Sequence, residues 1–391
     1  MNIRRQRGLS IIELMIAMTL GLLILAGLTT VFVTASESQR ELQRSAQQIE
    51  NGRYAMDTLS LDLHHAGFYG RYSGYADPVV SPDPCIIGNE AALATSLRMP
   101  VQVYLAADQS SRPSLTGTGC ATYLPTANLL PGSDILVVRR AETTSVRYIA
   151  DGFKPVVTSN SATLAGEVYM QTDPSTVIVQ FGDGTAITPT SDARGGTSTI
   201  NKKDTKAEAW RKLHVHIYFV APCSIPAGGG DICTGAADDS YNPVPTLKRL
   251  ELASVGGTRT FTTVPLAEGI NALKLEFGID NSPNTANGNT NLIGDGAPDL
   301  YLPNGSTSTL SIADLTNIVS AKIWMVARSP QSTPNYIDSK TYAMATPTTA
   351  LNAGTVADSG LTYGPYNDAY KRHLFFTEVR ISNLSQRREN P

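Results

Sequence analysis

The sequence begins with a short basic segment that is followed by a long apolar one. Residues 1–8 contain three arginines and no acidic residue, and an almost uninterrupted apolar run extends from Leu9 to Val33. At about 1.5 Å per residue, a helix over this run reaches about 37 Å, which is enough to cross a hydrocarbon core of about 30 Å with some tilt. The arginines favour a cytoplasmic N-terminus, so we expect the C-terminal side of the chain outside the membrane.

A secretory signal peptide and a plain signal anchor are the two simpler interpretations of this segment. A signal peptide has a shorter apolar stretch and then a small-residue cleavage site, whereas residues 34–37 lead into further helical pattern. A plain anchor explains the length but not Glu13, which is the one ionisable side chain in the run. A carboxylate in a membrane helix costs roughly 2.5–3.5 kcal/mol on insertion scales. Glu13 therefore indicates an interaction with a partner.

The segment Gly8–Glu13 reads Gly-Leu-Ser-Ile-Ile-Glu and resembles the class III signal of type IV prepilins. The resemblance implies that prepilin peptidase cleaves between Gly8 and Leu9, and that the new amine of Leu9 is then methylated. It also implies that the apolar run is retained as the first half of a long helix. Glu13 is the fifth residue counted from Leu9. At that place its carboxylate would neutralise the N-terminal amine of an adjacent subunit, where an unpaired charge is costly. Leu9 replaces the family's usual Phe.

The helical pattern continues beyond the apolar run. Residues 36–66 are polar with apolar residues at steps of three, four and seven, which form one stripe on a helix: Leu42, Ala46, Ile49, Met56, Leu59 and Leu63. No proline precedes Pro78, and Gly67 is the predicted end of the helix. We expect the stripe to pack on a globular domain while the first half of the helix remains available to other subunits.

Three further segments resemble PilW-type minor pilins. They are residues 53–70, which contain Asp62-Leu63 and Ala66-Gly67-Phe68, residues 266–280 and residues 372–383. A pattern related to the first segment occurs in J-type pseudopilins of type II secretion. The resemblance covers about the first 70 and the last 140 residues, and residues 72–244 match no family that we recognise. It implies a minor pilin that takes part in initiation and tip-proximal assembly of a type IV pilus, with roles in twitching motility, adhesion or DNA uptake.

The remainder of the chain indicates an α+β fold. Seven segments rich in Val, Ile, Tyr and Phe and bounded by turn residues are predicted strands: Ile135–Arg139, Thr176–Phe181, Leu213–Ala221, Leu247–Ala253, Ala272–Ile279, Val319–Ala327 and Leu374–Ile381. We expect an antiparallel sheet packed on the C-terminal half of the long helix, with a large insertion rich in strands and loops. The predicted divisions are a leader (1–8), a transmembrane half-helix (9–35), an amphipathic half-helix (36–66) and a β-rich globular domain (67–391).

The four cysteines, Cys85, Cys120, Cys223 and Cys233, favour two disulfides, because an even number in an exported domain is typical of disulfide bonding. Four cysteines allow three pairings, and the local pairs Cys85–Cys120 and Cys223–Cys233 are the favoured ones. Buried free thiols and a zinc site are the weaker alternatives.

Metal-binding and catalytic patterns are weak. His214 and His216 share one face of a predicted strand, but no third ligand lies at a telling distance, so packing or solvent-facing roles are favoured. Asp280, Asp295 and Asp299 frame a Gly/Asn-rich loop that hints at calcium but lacks the spacing of a twelve-residue calcium loop, so a structural turn is favoured. We find no pattern that supports an enzyme, and no cofactor is expected.

The expected partners follow from the resemblance. They are prepilin peptidase, other minor pilins, the major pilin and a large tip adhesin. The predicted location is a single pass in the inner membrane before assembly and the pilus at the cell surface afterwards. A J-like pseudopilin of type II secretion and a tip pilin that captures DNA or surfaces are the alternatives. Without residues 1–8 the chain has 28 basic and 34 acidic residues, a net charge of −6, which disfavours DNA as a ligand.

Overall fold

The computed structural model describes residues 10–72, 80–115, 119–144, 165–174, 176–182, 210–281, 294–303, 310–345 and 361–389. The chain divides into two units, residues 1–47 and residues 48–391. The first helix, α1, extends from Ile11 to His65 without interruption. The fold is α+β, with this long helix followed by antiparallel sheets, as the sequence predicts.

Over the apolar run of the first unit, the threonine hydroxyls of α1 bond to the helix itself. The hydroxyl of Thr19 donates to the carbonyl of Met15 at 3.0 Å, and that of Thr29 donates to Leu25 at 2.8 Å. The apolar side chains from Ile11 to Val33 are exposed along the described part of this unit. Since hydrocarbon offers no hydrogen-bond partner, hydroxyls satisfied within the helix suit a membrane-spanning segment.

The second unit contains thirteen strands among the described residues. In chain order they are β1 (Val101–Tyr104), β2 (Ile135–Ala141), β3 (Val168–Thr172), β4 (Val177–Phe181), β5 (Arg211–Ala221), β6 (Thr246–Val255), β7 (Thr258–Glu268), β8 (Ile270–Ile279), β9 (Leu300–Leu302), β10 (Ile318–Arg328), β11 (Tyr342–Ala343), β12 (Thr362–Tyr363) and β13 (Arg372–Arg380). The shorter helices are α2 (Glu90–Ser96), α3 (Asp238–Tyr241), α4 (Ile312–Thr316) and α5 (Ser382–Glu389), and two 3₁₀ turns cover Gly119–Thr122 and Thr126–Asn128.

Two sheets form most of this unit, and all strand pairs are antiparallel. The larger sheet has the order β1-β2-β5-β3-β4, and β5 also pairs with β6, which pairs with β7. The smaller sheet has the order β13-β10-β8-β9. A separate two-stranded ribbon joins β11 and β12. Gly269, with φ +79°, separates β7 of the larger sheet from β8 of the smaller one.

The C-terminal part of α1 packs on both sheets, in one core. Ala55, Met56, Leu59 and Leu63 are buried against β2 and β5 of the larger sheet and β8 and β10 of the smaller one. Met56, Leu59 and Leu63 therefore confirm the C-terminal part of the predicted stripe, whereas Ile49 is 43% exposed. Leu42 and Ala46 belong to the first unit and are exposed, so the stripe is shorter than the sequence suggests.

Two glycines, one within α1 and one just after it, lie where a side chain would not fit. Gly52 lies against the ring of Phe375 on β13, and a Cβ atom there would overlap that ring. Gly67 has φ +73° and donates its N–H to the carbonyl of Arg139 at 3.0 Å, which ends the helix. The helix end predicted at Gly67 is confirmed.

The alternate face of the larger sheet carries a second core. Ile135, Val137, Ile217 and Phe219 point away from α1, because successive strand residues face opposite sides. They pack with α2 and with all four cysteines. A third, smaller core on the far side of the smaller sheet groups Trp324 and Val326 with the β11–β12 ribbon.

All seven predicted strands are present, as β2, β4, β5, β6, β8, β10 and β13. The prediction missed β1, β3, β7, β9 and the ribbon. β7 is Thr-rich and contains Pro265 next to a register shift, so its sequence does not predict a strand. The strand lies at the edge of the larger sheet, where a proline is accommodated.

Candidate functional site: the N-terminal helix and its attachment

Glu13 lies in the first turn of α1. Its Oε2 atom accepts a hydrogen bond from the backbone N–H of Ser10 at 3.1 Å, and its side chain is exposed. A negative charge in the first turn is favourable for a helix, because the first backbone N–H groups are unpaired and carry partial positive charge. The predicted cleavage residues Gly8 and Leu9 lie outside the described residues.

Among the described residues, α1 is the one helix that is long and apolar enough to cross a membrane by length and composition. None of its most apolar window is buried within the protein. This apolar surface matches the run from Leu9 to Val33 on which the sequence prediction rests.

The other end of α1 is attached to the larger sheet through one buried carboxylate. Asp62 accepts from Arg140 Nε at 2.6 Å, from the Tyr218 hydroxyl at 2.9 Å and pairs with His216 Nδ1 at 2.7 Å. Although burial opposes ionisation, His216 and Arg140 hold the pKa of Asp62 well below its usual range. The helix is therefore joined to β2 and β5 by three hydrogen bonds to a charged group.

A second histidine extends this network towards the surface. His214 Nε2 lies 2.6 Å from an oxygen of Glu142, at the end of β2. Burial and the neighbouring His216 lower the pKa of His214 to about 4, although the hydrogen bond with Glu142 acts in the opposite direction. His214 and His216 thus have packing and pairing roles, as the sequence analysis favoured, and each faces a carboxylate.

The network borders an open groove, with Arg140, Glu142, Tyr218 and Arg249 on the sheet side and residues 58–65 of α1 on the other. Both arginines are paired, Arg140 with Asp62 and Arg249 with Glu251 at 2.7 Å. The arrangement therefore holds α1 in place, and its charges are already neutralised.

Lowering the pH should weaken the attachment of α1 to the larger sheet before Asp62 becomes protonated. In the unfolded chain His214 titrates near pH 6.5, whereas in the folded chain its pKa is about 4. Between these values the unfolded chain binds a proton that the folded chain does not, so stability falls as the pH falls from 6.5 to 4. The loss from this group is on the order of 3 kcal/mol. Below pH 4, protonation of Asp62 adds a further loss.

The measurement is urea unfolding of the full chain in detergent between pH 7 and pH 4, followed by tryptophan fluorescence. We expect His214→Gln to flatten this part of the pH profile, and His64→Gln, which changes an exposed histidine of α1, to keep the wild-type profile. An unchanged profile in His214→Gln would contradict the assignment.

Two disulfides join the cysteines in the favoured pairs. Cys85 is bonded to Cys120 and Cys223 to Cys233, and no cysteine is free. Asp83 supports the first bridge by accepting from the N–H groups of Cys85 at 2.9 Å and Gly119 at 2.6 Å. The described residues contain two clusters of metal-binding types, and each includes one bridge. A disulfide sulfur is no thiolate ligand, so the zinc alternative is wrong.

Peptide mapping under non-reducing conditions checks these pairs. We expect Cys85 linked to Cys120 and Cys223 linked to Cys233. On the loop-closure argument, replacing the first pair by serine should cost about 4 kcal/mol and replacing the second about 3 kcal/mol, because the first closes the longer loop. Recovery of crossed pairs or of alkylated free thiols from the native protein would contradict the structure.

The three aspartates considered for calcium do not come together. Asp280 accepts from the N–H of Gly296 at 2.8 Å, Asp295 from that of Ala297 at 2.9 Å and Asp299 from that of Asn281 at 2.6 Å. Within the described residues their oxygen atoms form no common cluster. A Cβ atom at Gly294 would overlap the carboxylate of Asp280. These carboxylates accept hydrogen bonds within turns, the role that the sequence analysis favoured for this loop.

Comparison with protein families supports the resemblances described for the N-terminal and C-terminal parts of the chain. Residues 3–29 match the prokaryotic N-terminal methylation motif, and residues 234–383 match type IV pilus-assembly protein W. The chain is a type IV pilus-associated pilin with a PilW-type C-terminal region. No curated protein matches the chain, and no solved structure does.

The family matches have direct consequences for where the pilin acts. The methylation motif and the apolar helix indicate anchoring in the inner membrane in the context of pilus assembly. The same motif implies contact with prepilin peptidase and with other pilins. The pilin is therefore a structural component of a pilus system.

Sequence reasoning did not foresee the role of Asp62. The residue stands in the segment that resembles PilW, but a single aspartate among polar helix residues carries no signal of burial. The one available signal was the placement of His214 and His216 on one face of a strand. Packing or solvent-facing roles were favoured for them over a metal pair, and a carboxylate on α1 was not considered as their partner. No sequence pattern predicted the buried pair of Lys274 and Asp134.

Proposed function

We propose that this pilin takes part in the initiation and tip-proximal assembly of a type IV pilus, in a priming complex with other minor pilins that connects to a large tip adhesin. The observation that carries the proposal is the PilW-type match over residues 234–383, combined with the methylation motif. The matched C-terminal region contains β6–β8 and the whole of the smaller sheet. Residues 48–391 also form a bulky unit, which is tolerated more easily at the end of a filament than along its shaft.

The proposed maturation route begins in the inner membrane with the N-terminus in the cytoplasm and the β-rich unit outside. Cleavage after Gly8 exposes the amine of Leu9, and the Glu13 carboxylate pairs with the amine of an adjacent subunit. The protein acts by assembly and converts no external substrate. After assembly it stands on the pilus at the cell surface.

Deleting the gene tests the function. We expect few or no surface pili and loss of twitching, and we expect the wild-type gene to restore both. Protein secretion through a type II system and DNA uptake are measured separately in the same strains. A normal number of pili with a secretion defect would contradict the proposal in favour of a pseudopilin, and normal pili with reduced adhesion or DNA uptake alone would favour a ligand-binding tip pilin.

Processing is tested on the protein in sheared pili. Mass spectrometry should find an N-terminus at Leu9 with a methylated amine, because the basic leader and Gly8 form the class III signal. Leu9→Phe, which introduces the family's usual first residue, should be processed in the same way, whereas Gly8→Val should retain Met1 and stay in the membrane fraction. Intact Met1 in assembled wild-type pilin would contradict this route.

A further inference from the structure

Lys274 and Asp134 form a pair that is buried inside the second unit. Their side chains are 5% and 0% exposed, and Lys274 Nζ lies 2.5 Å from Asp134 Oδ1. Lys274 belongs to β8 of the smaller sheet, and Asp134 immediately precedes β2 of the larger one. The pair therefore connects the two sheets away from water.

Backbone groups hold both side chains in a fixed orientation. Lys274 Nζ also donates to the carbonyl of Ala106 at 2.7 Å. Asp134 Oδ1 accepts from the N–H of Ala106 at 2.8 Å, and Oδ2 accepts from the N–H of Leu275 at 3.0 Å. An amine is thus held against a carboxyl group whose two oxygens each have a backbone donor. Donors of this kind stabilise the negative charge that develops on an oxygen when a nucleophile attacks its carbon.

Burial changes the chemical character of the pair. Two buried charges are costly even when paired, and transfer of one proton from the ammonium to the carboxylate leaves a neutral amine and a neutral acid. Burial raises the pKa of Asp134, although Lys274 opposes this effect. Well-oriented groups reach effective molarities of about 10⁵–10⁸ M, which suits condensation of an amine with an acid in a dry site.

We propose that Lys274 and Asp134 become joined by an intramolecular isopeptide bond. The lone pair of neutral Nζ attacks Cγ of the protonated carboxyl group, and a C–N bond forms. One carboxyl oxygen then leaves with its own proton and one proton from the nitrogen, as water. The product is an amide whose remaining oxygen keeps a backbone N–H donor, and no oxidant, reductant or other reactant is consumed.

The surroundings can accommodate the leaving water. A small cavity of about 30 Å³ is lined by Ala106, Lys274, Leu275 and Glu276, among others. This volume holds about one water molecule. Glu276 is 3% exposed and lies two residues beyond Lys274, on the same face of β8, so an acid–base group borders the space into which the water departs.

Such a bond would close a covalent loop from residue 134 to residue 274. The loop contains β5, to which α1 is attached. It also contains the Cys223–Cys233 bridge. A pilus subunit carries load, and this bond would prevent the two sheets from separating at β2 and β8 even after reduction of the disulfides.

Peptide mapping of the wild-type full chain tests the proposal directly. The protein is extracted from membranes in detergent, reduced, denatured and digested with trypsin. We expect the peptides that contain Asp134 and Lys274 as one branched species, lighter by one water than their sum, with no cleavage after Lys274. Recovery of the two peptides only as separate species of full mass would overturn the proposal.

Lys274→Arg is the matched control, because it keeps a cation opposite Asp134 but does not form the branched peptide. After reduction and heating, it should migrate more slowly than the wild type on a denaturing gel, since the cross-linked chain stays more compact. Equal migration would count against the bond. The wild-type peptide map decides the question even if Lys274→Arg fails to accumulate, because it does not depend on any variant.

Discussion

Glu13→Val should remove this pilin from sheared pili while leaving its export, cleavage and residence in the membrane intact. In a plain anchor helix, the change would be harmless or would improve insertion, because it removes a costly charge. In an assembling pilin, it leaves the N-terminal amine of the adjacent subunit without a partner in an apolar environment. A cost of roughly 2.5–3.5 kcal/mol corresponds to a loss of about a hundredfold in incorporation.

The measurement compares whole-cell and sheared-pilus fractions, probed for this pilin and for the major subunit. Glu13→Asp keeps a carboxylate and should be incorporated better than Glu13→Val. Glu37→Val removes a carboxylate from the same helix beyond the apolar run and should behave as the wild type. If this pilin starts filaments, the number of pili in Glu13→Val should fall as in the deletion strain. Normal recovery of Glu13→Val in sheared pili would overturn the pairing mechanism.

Asp62→Ala should destabilise the second unit by about 3–5 kcal/mol, which is the usual cost of removing one partner from a buried charge pair. The change leaves Arg140 without its carboxylate and leaves the Tyr218 hydroxyl without its acceptor. It also separates His216 from the group it faces at 2.7 Å. Because these groups lie on β2 and β5, the loss should appear as earlier unfolding of α1 from the larger sheet.

Urea unfolding of the full chain in detergent, followed by tryptophan fluorescence, measures this effect. Asp57→Ala is the matched control, because Asp57 is an exposed carboxylate on the same helix and its removal should change stability by less than about 0.5 kcal/mol. Equal midpoints for the two variants would contradict the assigned role of Asp62. Asp62→Asn, which keeps the size but not the charge, should lie between the wild type and Asp62→Ala.

The two parts of α1, one in each unit, have different surroundings. The first unit presents an apolar helix with Glu13 in its first turn. In the second unit, one face of residues 48–65 lies against two sheets and is held by apolar packing and by Asp62. Gln48 adds a hydrogen bond to the carbonyl of Ala327 at 2.7 Å, and Asn51 adds one to that of Glu268 at 3.1 Å. These contacts keep the helix fixed in its own subunit.

The N-terminal helix and the strands with strong β composition could be predicted from the sequence because their signals are local. An apolar run of this length has few structural alternatives, and Glu13 within it is costly enough to require a reason. β5 and β10 are rich in Val, Ile and aromatic residues, so their composition alone indicates strands. The end of α1 at Gly67 follows from the positive φ that glycine permits.

β7 and the division into two sheets could not be predicted in the same way. β7 is stabilised by pairing with β6 over its whole length, and its Thr-rich sequence does not predict this pairing. The sequence indicated one sheet under the helix, whereas α1 contacts two, because Gly269 redirects the chain between β7 and β8.

The sequence by itself determined that this protein is a membrane-anchored pilin with a long helix and a β-rich domain. These properties depend on composition and on short-range spacing. Only the tertiary structure decided which polar residues are buried and with whom they pair. Asp62 meets His216 across 154 positions of sequence, and Lys274 meets Asp134 across 140. A buried charge is stable only with its partner, and that partner is chosen by the packing of the sheets.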